Sequence, residues 1–140
     1  MIPSPTLLFI DDDREFLQAQ VAFFSKRGFE VLTAESTQAA LAALEARTPD
    51  LIVLDLMIEH YDSGFLLSHR IRRNPRFAKL PIIMLSGVAR ETGHKFGEED
   101  ALASWSKLTA FLDKPVTFQQ LLKVIEQHLG PTSAAKAQGA

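Results

Sequence analysis

The side chains best placed to do chemistry in this sequence are a few carboxylates, one lysine and one serine, each following directly on an apolar run. Asp11-Asp12-Asp13 follows residues 7–10, and Asp55 follows residues 51–54. Ser86 follows residues 82–85, and Asp113-Lys114-Pro115 follows residues 110–112. If these runs are strands of an open α/β sheet, their carboxyl ends form the edge where ligands bind. Carboxylates gathered there repel one another unless a hard divalent cation sits among them. Magnesium takes one or two carboxylates, keeps several waters and accepts phosphate oxygens as further ligands. A lysine and a hydroxyl alongside would complete a cradle for a phosphoryl group. Each residue also has a plainer reading. Asp11-Asp12-Asp13 could be a solvated turn that caps a helix, Asp55 a loop cap, Ser86 a turn residue and Lys114 a surface lysine. Their shared position after apolar runs favours a common site.

Five apolar runs could supply those strands: residues 7–10, 31–32, 51–54, 82–85 and 110–112. The first, third and fourth are apolar at every position, as strands covered by helices on both faces are. Helical spacing lies between them. Phe16, Leu17, Val21 and Phe24 form one stripe, with Gly28 placed to end it. Ala40, Leu41 and Leu44 form a second, with Ser36 as N-cap. Leu66, Leu67 and Ile71 form a third, stopped by Asn74-Pro75. Phe118, Leu121, Leu122, Ile125 and Leu129 form a fourth, opened by a Thr117/Gln120 capping box and closed by Gly130-Pro131. A weaker helix is expected within 98–108, a stretch that includes Glu98-Glu99-Asp100 and Trp105. The alternation predicts an α/β fold, a doubly wound five-stranded parallel sheet with helices on both faces.

The whole-chain figures exclude several classes. The 140 residues suit one domain. The absence of cysteine excludes disulfides, thiol catalysis and thiolate metal sites. A net charge of −2, from 15 basic and 17 acidic residues, gives no bulk attraction to nucleic acid. No apolar run approaches the ~20 residues that span a bilayer, and the first residues lack the pattern of a signal peptide. The expected location is cytoplasmic. His60, His69, His94 and His128 share no ligand spacing and read as surface or loop residues.

At four strand ends the chain resembles the receiver domain of two-component response regulators, single-domain and chemotaxis-regulator-like. The matching segments are Phe9-Ile10-Asp11-Asp12-Asp13, Leu51-Ile52-Val53-Leu54-Asp55-Leu56-Met57, Met84-Leu85-Ser86-Gly87 and Phe111-Leu112-Asp113-Lys114-Pro115. The resemblance implies a flavodoxin-like receiver fold with strand order 2-1-3-4-5. It implies a domain over 6–130, an N-terminal extension at 1–5 and a flexible tail at 131–140. Asp55 would accept a phosphoryl group from a histidine kinase or histidine phosphotransfer protein. Asp11, Asp12, Asp55 and the backbone carbonyl of Met57 would hold Mg2+. Lys114 would neutralise the phosphoryl oxygens, and Ser86 would bond one of them. Small Gly87 would keep the site accessible, Phe111 would be the switch aromatic, and Lys114-Pro115 would be a cis bond. Output would pass to a downstream protein partner, with a homodimer as one form it could take, and without direct nucleic-acid contact or membrane insertion.

Two features depart from the family pattern. Glu59 stands where proline is usual, and Gly64 comes nine rather than eight residues after Asp55, in a loop that also holds His60 and Asp62. The interval from Ser86 to Lys114 is 28 positions, several residues longer than usual, with the excess around 90–105. The first departure motivates a second reading, a receiver-like interaction domain that never takes phosphate. A third is a Mg2+-dependent phosphohydrolase acting through an aspartyl-phosphate. Such an enzyme needs a second acid or base near the nucleophile, and two residues after Asp55 stands apolar Met57. The receiver reading is of self-directed phosphotransfer, not of a turnover enzyme.

Overall fold

A computed structural model describes residues 4–58, 63–86 and 109–129. Strands β1 (Thr6–Ile10), β2 (Glu30–Ala34), β3 (Leu51–Asp55), β4 (Ile82–Ser86) and β5 (Ala110–Asp113) form one parallel sheet in the order β2-β1-β3-β4-β5. Among the described residues four helices connect or follow them: α1 (Arg14–Ser25), α2 (Thr37–Ala46), α3 (Ser63–Arg72) and α4 (Phe118–Leu129), with a 3-10 turn at Pro75–Phe77. The order is the one the resemblance implied.

Alternation along the strands divides the core. Leu8, Ile10, Ile52, Leu54, Ile82 and Met84 point to one face and pack under Ala40 and Leu44 of α2 and Leu67 and Ile71 of α3. Leu7, Phe9, Leu51, Val53, Ile83 and Leu85 point to the other, under Leu17 and Phe24 of α1 and Leu121 and Ile125 of α4. β1, β3 and β4 are buried at every position, which explains their uninterrupted apolar runs. β2, at an edge, exposes Glu30 and Thr33. It extends beyond the two apolar residues that marked it.

Helix ends follow local chemistry. Asp13 caps α1, its Oδ1 accepting from Phe16 N at 3.2 Å. After α1, Phe29 N donates to Phe24 O and Gly28 N to Ser25 O, a Schellman closure. Gly28 carries the φ of 90° that this closure requires. Ser36 Oγ accepts from Ala39 N at 3.0 Å. The expected capping box forms: Gln120 N donates to Thr117 Oγ1 at 3.0 Å and Thr117 N to Gln120 Oε1 at 2.8 Å. Asn74 opens the 3-10 turn, accepting from Arg76 N at 3.0 Å.

One expected core residue is misplaced. Leu66 is 54% exposed, while Leu67 and Ile71 are buried. Residues 67 and 71 are four apart and share a face; Leu66 is rotated about 100° from its neighbour, and Ser68 is buried instead. His69 is half-buried on α3 and His128 exposed on α4. The expected helix within 98–108, Trp105, His94, Gly87, Glu59, His60, Asp62, the Gly130-Pro131 stop and the tail lie outside the described residues.

Candidate functional site

Because the strands are parallel and in register, their carboxyl ends share one edge. Ile10 stands opposite Leu54, Asp55 opposite Leu85, and Ser86 opposite Asp113. Asp11, the residue after β1, continues the sheet by donating its N–H to Ala34 O at 3.0 Å. Its Oδ1 accepts from Asp13 N at 2.9 Å, which orients a carboxylate that is almost fully buried. Asp12 beside it is exposed. Asp55 ends β3, buried, with the N–H of Met57 donating to its carboxylate.

Lys114 joins these pieces. Its backbone N–H donates to Ser86 O at 2.7 Å, extending the ladder past β5, and its bond to Pro115 is cis. Its Nζ lies 3.2 Å from Asp11 Oδ2 and 3.4 Å from Asp55 Oδ1. The ammonium also sits 5.1 Å from the ring centroid of Phe16. One cation from the end of β5 thus spans carboxylates from β1 and β3. Carboxylate oxygens of Asp11, Asp12 and Asp55 lie within 4.8 Å of one another. An octahedral Mg2+ holds oxygens at about 2.1 Å, which sets opposite ligands about 4.2 Å apart. The all-oxygen donor set suits such an ion, and the carboxylates need close in by only about half an ångström to reach that spacing.

The electrostatics point the same way. Burial, and next the charge of Asp11, push the Asp55 carboxyl up to about 6, against the opposing pull of Lys114 and the Met57 N–H. Burial also raises Asp11, despite the Asp13 N–H and Lys114. For Lys114, burial works against the charge, but Asp11 and Asp55 outweigh it and hold the ammonium above its ordinary range. A single lysine therefore leaves the carboxylates undercompensated, and a bound cation would relieve them.

Of the other expected site residues, Ser86 is fully buried at the end of β4, one position past the register partner of Asp55. Phe111 is half-buried in β5, opposite Met84 and against the α2/α3 core. Met57 is half-buried just after β3.

In the connection leaving β3, Gly64, noted in the sequence only for its spacing from Asp55, has a packing role that the spacing did not reveal. Gly64, in the first turn of α3, donates its N–H to Leu56 O at 2.7 Å. A Cβ built there would stand 1.9 Å from Asp55 O and 2.7 Å from Leu56 O. Only glycine lets α3 approach the backbone of Asp55 this closely. The available signal was an isolated glycine inside a helical pattern. Ser63 Oγ accepts from Ile58 N at 3.1 Å, pinning the same connection.

A doubly wound sheet of this order with an acidic pocket at its carboxyl edge defines the receiver class. The chain matches the response regulator receiver domain family over residues 7–126 and belongs to that family. It is similar to the phosphate regulon transcriptional regulatory protein PhoB of Pseudomonas aeruginosa, 33% identical over 131 residues that cover 90% of this chain and 53% of PhoB. The chain thus spans about half the length of that relative. Among solved structures it is similar to the N-terminal domain of a response regulator receiver protein from Methanoculleus marisnigri JR1, at 31% identity and a TM-score of 0.66, covering 89% of this chain and 96% of that one. It also shares its fold with the chemotaxis response regulator CheY4 of Vibrio cholerae, at 24% identity and a TM-score of 0.77, covering 89% and 98%. No helix among the described residues is long and apolar enough to cross a membrane.

Proposed function

We propose that Asp55 accepts a phosphoryl group from a histidine kinase or histidine phosphotransfer protein, and that the resulting change at the carboxyl edge alters the surface offered to a downstream protein. The observation that supports this best is the Lys114 ammonium shared between Asp11 and Asp55, residues from three separate strand ends. Asp11, Asp12, Asp55 and the Met57 carbonyl would hold Mg2+, which when bound would neutralise phosphoryl oxygens and offset repulsion among the acids.

The ionised Asp55 carboxylate attacks phosphorus; an O–P bond forms as the N–P bond of the donor phosphohistidine breaks, and its electron pair returns to the imidazole nitrogen. The Met57 N–H orients the nucleophile. Lys114 exchanges its contact with Asp55 for one with a phosphoryl oxygen, where a positioned cation stabilises developing charge. Ser86 donates its hydroxyl to another phosphoryl oxygen, and Phe111, lower on β5, turns inward as that corner tightens. This is a two-state population shift. Water attack on the acyl phosphate restores Asp55, so the chemistry remains self-directed.

The test is incubation with Mg2+ and acetyl phosphate followed by intact-mass measurement. A phosphoryl adduct that disappears in Asp55→Asn is expected. No adduct, from acetyl phosphate or from a cognate kinase, would favour an interaction domain that works without phosphate. Steady phosphate release from unrelated substrates would favour a phosphohydrolase.

A further inference from the structure

The net charge of −2 conceals a strong asymmetry. Residues 63–86 contain Arg70, Arg72, Arg73, Arg76 and Lys79 and no Asp or Glu. The rest of the chain then holds ten basic against seventeen acidic residues, a balance of −7. The five cations follow one another within ten residues, from the last turn of α3 through the 3-10 turn to the residues just before β4. That is the amino edge of the sheet, opposite the edge that holds Asp55. A five-residue strand separates the two edges by about 16 Å.

Cations at a helix C-terminus can serve the helix alone, so each must be weighed. Arg72 has such a duty, donating through its guanidinium to the carbonyls of Phe77 and Leu80. Arg76 lies 5.2 Å from the Phe77 ring centroid. Arg70, Arg73 and Lys79 are exposed and form no ion pair among the described residues. Four exposed cations at intervals of three residues (70, 73, 76, 79) thus stand with no acid on their own segment to neutralise them.

We infer that this amino-edge patch docks a carboxylate-rich segment of a partner protein. Three of its four exposed cations are arginines, whose planar forks match carboxylates in bidentate pairs. An extended nucleic-acid duplex fits less well, because it would reach past the patch onto a chain that elsewhere sums to −7 and be repelled there. Leu66 is the one exposed large hydrophobic side chain among the described residues, so no exposed aromatic ring stands among them to stack single-stranded bases. A short acidic segment meets the favourable charge without those penalties. Docking at this edge leaves Asp55 open to its phosphodonor, so a partner can be held through both the resting and phosphorylated states.

The full 140-residue chain is titrated into a dye-labelled twelve-residue peptide carrying six glutamates, with anisotropy read at 50 and 200 mM NaCl. A twelve-base-pair DNA duplex and phosphatidylserine vesicles serve as comparators. The peptide is expected to bind at least tenfold more tightly than either comparator, and less tightly at the higher salt. Binding should fall at least tenfold in Arg70→Glu/Arg73→Glu/Lys79→Glu and persist in Lys26→Glu/Lys123→Glu, a charge reversal elsewhere on the surface. Should thermal melts show the triple variant to be unfolded, Arg70→Gln and Arg73→Gln singly are each expected to weaken binding two- to threefold. Absence of peptide binding, equal loss in the control variant, or tighter binding of duplex or vesicles would overturn the inference.

Discussion

The carboxyl edge of the sheet and the β1–β2 half of its amino edge treat their charges in opposite ways. At the amino edge beside β1 and β2, polar groups are matched. Thr6 N donates to Asp50 Oδ2 at 2.7 Å, and Arg47 reaches both Glu30 and Thr6 Oγ1. That pairing holds the Glu30 carboxyl below its ordinary range, chiefly through its hydrogen bond to Arg47. At the carboxyl edge, Asp11 and Asp55 are buried with one lysine between them, and both are pushed upward. An edge whose charges are satisfied holds structure together. An edge whose charges are buried and undercompensated is held in place by the rest of the fold, and under the proposed function it is where an added cation or phosphoryl group would act.

The largest expected effect breaks the second edge. Asp55→Asn is expected to remove the acetyl-phosphate adduct completely in intact-mass spectra, because among the described residues no other carboxylate meets both Lys114 and the Met57 N–H. Lys114→Ala is expected to slow adduct formation by roughly a hundredfold, the scale of losing one preorganised stabilising group. Rates close to wild type for Lys114→Ala would remove Lys114 from the chemistry.

Stability should respond in the opposite sense. The folded-state pKa of Asp55 lies above its ordinary value of 3.8, at about 6. Its contribution is thus fully favourable below pH 3.8 and is lost as pH rises through 6. By pH 7.5 the buried charge costs on the order of 3 kcal/mol without metal. Asp55→Asn should therefore melt at a higher temperature than wild type at pH 7.5 in EDTA, by several degrees, and the gap should narrow toward pH 4.5. Saturating Mg2+ should raise the melting temperature of wild type and leave the variant nearly unchanged. A pH-independent gap would mean the burial of Asp55 carries no such cost.

Gly64 tests whether the edge depends on its support. Gly64→Ala forces a Cβ against the Asp55 carbonyl, an overpacking expected to cost about 3 kcal/mol. Denaturant melts measure that loss, and adduct formation should slow as the β3–α3 connection shifts. This residue also marks what the sequence could and could not reveal. The strand-end acids were legible because β1, β3 and β4 are buried on both faces, so each apolar run stops abruptly where the chain meets solvent and site. Ser36 and the Thr117/Gln120 box were legible because a cap depends on residues three apart. The packing role of Gly64 was not, since its partner is the backbone of Asp55, nine residues earlier. Leu66 was assigned to the wrong side because its stripe is short, and one position of helical phase separates core from solvent. The Phe16 ring beside Lys114 was hidden for a similar reason: in the α1 pattern it reads as one more core residue. The amino-edge cations were masked by a net charge that averages them against acids elsewhere.

The smallest expected effect concerns the matched edge, and its value lies in its sign. Glu30 sits on the surface, paired with Arg47, and surface pairs contribute little. Because its folded-state pKa is lowered from 4.5, any contribution is present above pH 4.5 and fades as pH falls through the lowered value. Glu30→Gln should therefore melt marginally below wild type at pH 7.5, with the difference vanishing in acid, and should form the phosphoryl adduct at an unchanged rate. Asp55→Asn should show the reverse on both counts: a melt above wild type at pH 7.5 and no adduct. If melts across pH gave slopes of the same sign for the two variants, the two edges would not differ in kind. Opposite slopes would locate the fold's poised charge at the end of the sheet where Asp11, Asp55 and Lys114 meet.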